Sequence, residues 1–171
     1  VGASLADPDR LCFCFIGDLA FFYDMNAIGN RHVGNNIRIM LINNGKGTEF
    51  RNYFHPGQML LGDDADRYVA AAGHYGNRSR VLVRHYAEDL GFTYLCASDK
   101  KEFERVYEQF LTPEKTPKPL LFEVWTNSDE ESEALRILRN MKSDPTGKTK
   151  HLVKQYLGPK GINFVKNILK K

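Results

Sequence analysis

Two apolar runs, separated by one helical pattern, constrain this chain more than any other feature. Leu11-Cys-Phe-Cys-Phe-Ile16 is continuously apolar, and Ile37-Arg-Ile-Met-Leu-Ile42 is nearly so. Between them Phe21, Met25 and Ile28 recur at helical spacing over Ala20 to His32, and Val33-Gly34-Asn35-Asn36 ends that pattern. A continuous rather than alternating run suits a strand covered on both faces, so both are read as buried strands. Strand, helix and strand within 32 residues form a βαβ unit, which pairs the strands in parallel through a right-handed crossover.

The same rhythm continues. Asn43 to Asp64 is polar and Gly-rich without clear periodicity, and it reads as a long functional or mobile loop. Ala65 to Ala72 and Ser79 to Leu90 read as helices, and Gly91 to Ala97 as a third strand. Ser98 is placed to cap a helix from Asp99 to Leu111, because its hydroxyl accepts from first-turn amides. Three prolines stiffen Thr112 to Pro119, Leu120 to Trp125 reads as a fourth strand, and Ser128 opens a helix to about Met141. The expected fold is α/β, a three-layer α/β/α unit with a mostly parallel sheet, over residues 1–142. Residues 143–171 form a basic extension with a linker, Thr146 to Lys150, and a short helix from Gly161 to Lys171.

Composition narrows the function classes. A chain of 171 residues with 42% hydrophobic and 26% charged residues is neither disordered nor collagenous. No apolar run approaches the roughly 20 residues of a spanning helix, and Val1 to Arg10 has no basic-then-apolar leader. Three scattered cysteines argue for reduced thiols and a cytoplasmic setting. Cys12 and Cys14 share one strand face and read as core. From Lys142 to Lys171 there are eight lysines and one acid, Asp144, a local charge of +7 that leaves −4 on residues 1–141. This distribution gives no global nucleic-acid surface, and the tail lacks aromatic residues interleaved for base stacking.

In open α/β sheets ligands sit beyond the carboxyl ends of the strands. Gly17-Asp18 follows the first strand there, and Asn43-Asn44-Gly45-Lys46-Gly47 follows the second. Alone, Asp18 is an ordinary helix cap and Asn43-Asn44-Gly45 an ordinary turn. On neighbouring strands, the Asp18 carboxylate and the Asn44 amide oxygen converge. Hard oxygen donors suit Mg²⁺ or Ca²⁺, and glycines let the backbone approach a phosphate. A metal-bridged phosphate or diphosphate follows from these residues, helped by the dipole of the helix from Ala20. His55, His74 and His85 show no metal-ligand spacing, and Trp125 reads as core or interface.

Gly-Asp, a helix and strand, then Asn-Asn, with 26 positions from Asp18 to Asn44, resembles the motif of thiamine-diphosphate-dependent 2-oxoacid decarboxylases and carboligases. The resemblance is to their C-terminal, diphosphate-binding domain. Gly2-Ala-Ser-Leu-Ala-Asp-Pro-Asp-Arg10, Tyr86-Ala-Glu-Asp-Leu-Gly-Phe92, the helix from Asp99 and Pro119-Leu-Leu-Phe-Glu-Val124 extend it over roughly residues 1–135. Gly17-Asp18-Leu19 looks closest to the menaquinone-pathway branch, which decarboxylates 2-oxoglutarate and adds the product carbanion to isochorismate. The loop Thr48-Glu49-Phe50-Arg51-Asn52 does not closely match that branch, and residues 55–85 look inserted. Alternatives are an acetolactate-synthase-like carboligase, a simple 2-oxoacid decarboxylase, or a degenerate oligomerisation or regulatory domain.

The resemblance implies roles for matched positions. Asp18, Asn44 and the backbone carbonyl of Lys46 would hold Mg²⁺. Gly17, Leu19 and Ala20 would hold the diphosphate of thiamine diphosphate. Gly47 belongs to the cofactor turn, with Thr48, Glu49 and Phe50 beside the thiazolium and substrate. No residue is assigned to the chemical step itself, Glu49 being the one acid of the loop that stands near it. The resemblance also implies that the chain is a fragment of a homodimer or homotetramer, beginning inside the helix before the motif strand. A pyrimidine-binding domain of the same or another subunit, carrying the activating glutamate, would complete the site for a small 2-oxoacid.

Overall fold

The computed structural model describes residues 1–48, 55–68 and 79–141. The chain divides into two compact units, Val1–Ser132 and Glu133–Lys171. The first opens with α1 (Gly2–Ala6) and β1 (Cys12–Gly17), followed by α2 (Asp18–Tyr23) and β2 (Ile37–Asn43). Then come α3 (Pro56–Leu61), α4 (Ala65–Tyr68), α5 (Leu82–Asp89), β3 (Thr93–Ala97), α6 (Lys100–Leu111) and β4 (Leu120–Trp125). The last helix among the described residues, α7 (Ser128–Met141), begins in this unit. In the second unit, the described residues continue α7, where Arg136 Nε donates to Glu133 Oε2 at 2.7 Å.

The four strands are all parallel, in the order β1-β2-β4-β3. The expected α/β architecture is present, with a packed layer on each side of the sheet. Ile37, Ile39, Leu41 and Leu121 face Phe21, Ile28, Val83, Ala87 and Phe92 on one side. On the other, Ala97, Leu120 and Phe122 face Phe110, with Phe103 and Val106 packed against them. The central strands β2 and β4 carry most of this burial, as continuous apolar runs predict.

Four expectations need correction. β1 is not covered on both faces: it is an edge strand with alternating burial, and Phe15 is 66% exposed. Its Cys14 and Ile16 pack on the core, while Phe13 on the other face meets the Phe110 ring edge to face at 5.6 Å and the Arg38 guanidinium at 5.6 Å. The helix expected from Ala20 to His32 stops at Tyr23 and resumes as a 3-10 turn, Met25–Gly29. There the Asp24 amide is shared between the Ala20 and Phe21 carbonyls, which tightens the chain out of α geometry. The span 43–64 is not all loop, because Pro56 starts α3 and His55 Nδ1 caps it by accepting from the Gly57 amide at 3.0 Å. Finally, the cap of α6 is Asp99 rather than Ser98: Asp99 Oδ1 accepts from the Glu102 amide at 2.8 Å. Residues 69–72, the linker and the helix expected at 161–171 lie outside the described residues.

One buried charge serves the architecture. Arg38, fully buried on β2, donates from Nη1 to the Phe110 carbonyl at 2.7 Å and also to Thr112 O. Its Nη2 reaches the Glu114 carbonyl at 2.5 Å. The guanidinium thereby satisfies carbonyls left open where α6 ends and ties that end to the sheet.

Candidate functional site

The parallel register pairs Gly17 with Ile42, so the residues following β1 and β2 emerge side by side at the carboxyl edge. Asp18 is the first residue of α2 and only 3% exposed. Its side chain does not cap that helix across the first turn. Oδ2 instead accepts from the Asn44 amide at 3.0 Å and the Gly45 amide at 2.6 Å, while Oδ1 accepts from Leu19 N at 2.7 Å. Burial pushes the Asp18 carboxyl above its ordinary range, and the amides of Leu19, Gly45, Asn44 and Lys46 pull it back. Asp18 therefore meets the Asn44 turn through direct hydrogen bonds to its backbone amides, between the ends of adjacent strands.

The turn is shaped by its own side chains. Asn43 Oδ1 accepts from Gly45 N at 3.1 Å, and Asn44 Oδ1 from Lys46 N at 2.9 Å. Gly45 sits at φ 76°, a left-handed conformation that a glycine adopts without strain. The Lys46 carbonyl accepts from Thr48 N at 3.0 Å.

Two acids beneath the turn were not anticipated from the residues. Glu123, fully buried in β4, accepts from Asn43 Nδ2 at 2.6 Å and from the Tyr94 hydroxyl at 2.5 Å. Burial drives its carboxyl upward, with nearby Asp18 adding to the rise; Tyr94, Asn43 and Arg80 act against it. Glu131, in the first turn of α7, accepts from Asn44 Nδ2 at 2.7 Å and from Thr126 Oγ1. A charged residue inside the apolar run Leu120–Trp125 was a readable signal for Glu123, because such a residue demands a buried partner. No comparable signal marks Glu131, 87 positions from its partner.

The donor set fits a divalent cation carrying a diphosphate. Asp18 Oδ1, Asn44 Oδ1 and the Lys46 carbonyl are hard oxygen atoms, and a carboxylate offers about four lone-pair positions. A buried carboxylate disfavoured by desolvation is also stabilised by a nearby positive charge. Thr48 Oγ1 is buried with no hydrogen-bond partner among the described residues, a hydroxyl available to a ligand. At Gly17 a Cβ would meet nothing within 4 Å, so space lies open beside the first backbone amides of α2. With six residues, α2 carries a smaller dipole than the longer helix expected.

The structure thus brings Gly17, Asp18, Leu19, Ala20, Asn44, Lys46, Gly47 and Thr48 to one edge of the sheet. Glu49, Phe50 and His74 lie outside the described residues. His55 is a helix cap and His85 lies on α5. Among the described residues no group of three or more His, Cys, Asp and Glu is set to hold a metal. Trp125, at the same edge, carries the Arg80 guanidinium 4.7 Å from its ring centroid. No helix among the described residues is long and apolar enough to cross a membrane.

Residues 1–124 match the family model described as "Thiamine pyrophosphate enzyme, C-terminal TPP binding domain", thiamine pyrophosphate being thiamine diphosphate. The chain is also similar to the 2-succinyl-5-enolpyruvyl-6-hydroxy-3-cyclohexene-1-carboxylate synthases of Bacteroides fragilis and Phocaeicola vulgatus. Each is 37% identical over 131 residues, 77% of this chain and 22% of the relative. The synthase of Desulfotalea psychrophila is 46% identical over 56 residues, 33% of this chain and 10% of its own. The chain spans about a fifth of the length of the two relatives that it matches over 131 residues. With the Asp18 and Asn44 turn in place and the match running through both strands that carry it, the chain belongs to the thiamine pyrophosphate enzymes and contains their C-terminal cofactor-binding domain.

Proposed function

We propose that this domain anchors Mg²⁺ and thiamine diphosphate in a synthase that decarboxylates a 2-oxoacid and transfers the resulting acyl unit to an acceptor. The observation carrying this reading is the buried Asp18 carboxylate bonded to the Asn44 and Gly45 amides across adjacent parallel strands. Asp18, the Asn44 amide oxygen and the Lys46 carbonyl would hold the cation. The Gly17, Leu19 and Ala20 backbone would hold the diphosphate, with Gly47, Thr48 and Phe50 along the cofactor. Glu49, the one acid of that loop, would contact the substrate or a proton-transfer water.

When bound, the cofactor supplies the carbon nucleophile that attacks a 2-oxo carbon and holds the electron pair released with CO₂. This chain's residues neutralise the diphosphate through the cation, orient it at the sheet edge, and keep the Asp18 carboxylate away from bulk water. The names of the relatives favour a 2-oxo diacid as donor, since a succinyl unit is what 2-oxoglutarate leaves after losing CO₂. Isochorismate is the proposed acceptor, in menaquinone biosynthesis. A pyrimidine-binding domain of the same or another subunit would complete the site in a homodimer or homotetramer. A cytoplasmic setting accords with the free thiols of Cys12, Cys14 and Cys96.

The test is Asp18→Ala in the full-length enzyme. Calorimetry should show loss of Mg²⁺-dependent thiamine diphosphate binding; unchanged binding would refute the ligand assignment. Product analysis with pyruvate against 2-oxoglutarate, with and without isochorismate, tests the substrates.

A further inference from the structure

An asparagine ligates a cation through Oδ1 only if its amide is held in the right sense, because a half-turn about the terminal torsion presents Nδ2 instead. Two contacts choose between these senses: the Lys46 amide donates to Asn44 Oδ1 at 2.9 Å, and Glu131 Oε2 accepts from Asn44 Nδ2 at 2.7 Å. In the reversed orientation Asn44 Oδ1 would face that carboxylate oxygen, and Nδ2 would face the Lys46 amide that Oδ1 now accepts from at 2.9 Å. Both contacts would become repulsive. Glu131 is itself held, since Thr126 Oγ1 donates to its other oxygen while the Thr126 amide donates to the Asn43 carbonyl at 3.0 Å. The carboxylate, the strand end and the asparagine turn therefore form one connected unit.

We propose that Glu131 is a positioning residue for the divalent cation: it fixes and polarises the Asn44 carboxamide so that Oδ1 is the atom offered to Mg²⁺. This rests on the metal reading above and adds a residue from α7 to it. Partners one step behind a metal ligand orient it and raise its basicity, and their loss commonly weakens metal affinity about ten- to a hundredfold.

The experiment is titration calorimetry of Mg²⁺ into the full-length enzyme with thiamine diphosphate present. Glu131→Ala should weaken Mg²⁺ binding by about tenfold or more. Glu131→Gln, which keeps one acceptor, should recover part of that loss and serves if the alanine variant fails to fold. In an Asn44→Ala background, Glu131→Ala should cost nothing further, because the partner through which it acts is gone. Wild-type Mg²⁺ affinity in both Glu131 variants, with Asn44→Ala weakened, overturns this inference and leaves the metal reading standing. Independent, additive losses in the double variant overturn it in favour of a structural role. Unchanged affinity in Asn44→Ala overturns the metal reading itself.

Discussion

Arg38 and Glu123 sit on neighbouring strands of one sheet, both fully buried, yet their hydrogen bonds lead to different places. Arg38 lies near the start of β2 and donates from Nη1 and Nη2 to the backbone carbonyls of Phe110, Thr112 and Glu114. Glu123 lies toward the end of β4 and accepts from Tyr94 and Asn43, whose amide oxygen in turn accepts from Gly45, the residue that also donates to Asp18. Burial of a charge alone does not distinguish the two. One ends in a helix terminus and serves the fold, whereas the other ends one bond from the proposed cation ligand. The carboxyl edge of a parallel sheet is where such wiring meets a ligand.

Replacing each residue sharpens that contrast. Arg38→Met should have the largest effect, destabilising the chain by about 3–5 kcal/mol by leaving several carbonyls without donors. A urea-unfolding midpoint measures this, and the folded fraction should still bind Mg²⁺ and thiamine diphosphate normally. Glu123→Gln should cost less stability, about 1–2 kcal/mol, because the amide retains one acceptor. It should nevertheless weaken cofactor binding by roughly tenfold in calorimetry, through the loosened Asn43 turn. A variant that lost stability without affinity would erase the distinction.

The two carboxylates also predict a pH dependence for the protein free of cation and cofactor. Burial is the main cause holding both Glu123 and Asp18 above their ordinary values. The folded chain therefore binds protons more tightly than the unfolded one, and stability falls as pH rises from the ordinary carboxyl range through the raised native values. Unfolding midpoints from about pH 4 to about pH 8 should show this decline, and Glu123→Gln should flatten it. The smallest effect belongs to the exposed pair of Arg84 Nε and Glu88, at 3.0 Å on α5. Arg84→Ala should shift stability by no more than about 0.5 kcal/mol, since water screens such a pair.

How much of this was readable varies by residue. The βαβ unit followed from Leu11–Ile16 and Ile37–Ile42, and the pairing of Asp18 with Asn44 followed from where those runs end. Glu123 and Arg38 each interrupt an apolar strand, so their burial was signalled but their partners were not. The partners come from β2, β3 and the end of α6, which only packing brings near. Glu131 carried no signal, because helix-opening acids are common on exposed surfaces. The uncovered face of β1 was misread for a related reason: an apolar run reports what its side chains avoid, not whether a neighbour is present to cover them.

The sequence by itself determined local matters: hydrophobic period, turn chemistry, the order of strand and helix, and the oxygen-bearing residues that follow two strands. Those depend on neighbours along the chain, whose spacing is set by covalent geometry. Tertiary structure alone decided which carboxylate holds which asparagine and in what sense each amide points. Such choices are made by hydrogen bonds between residues tens of positions apart, and those form only once the sheet has assembled.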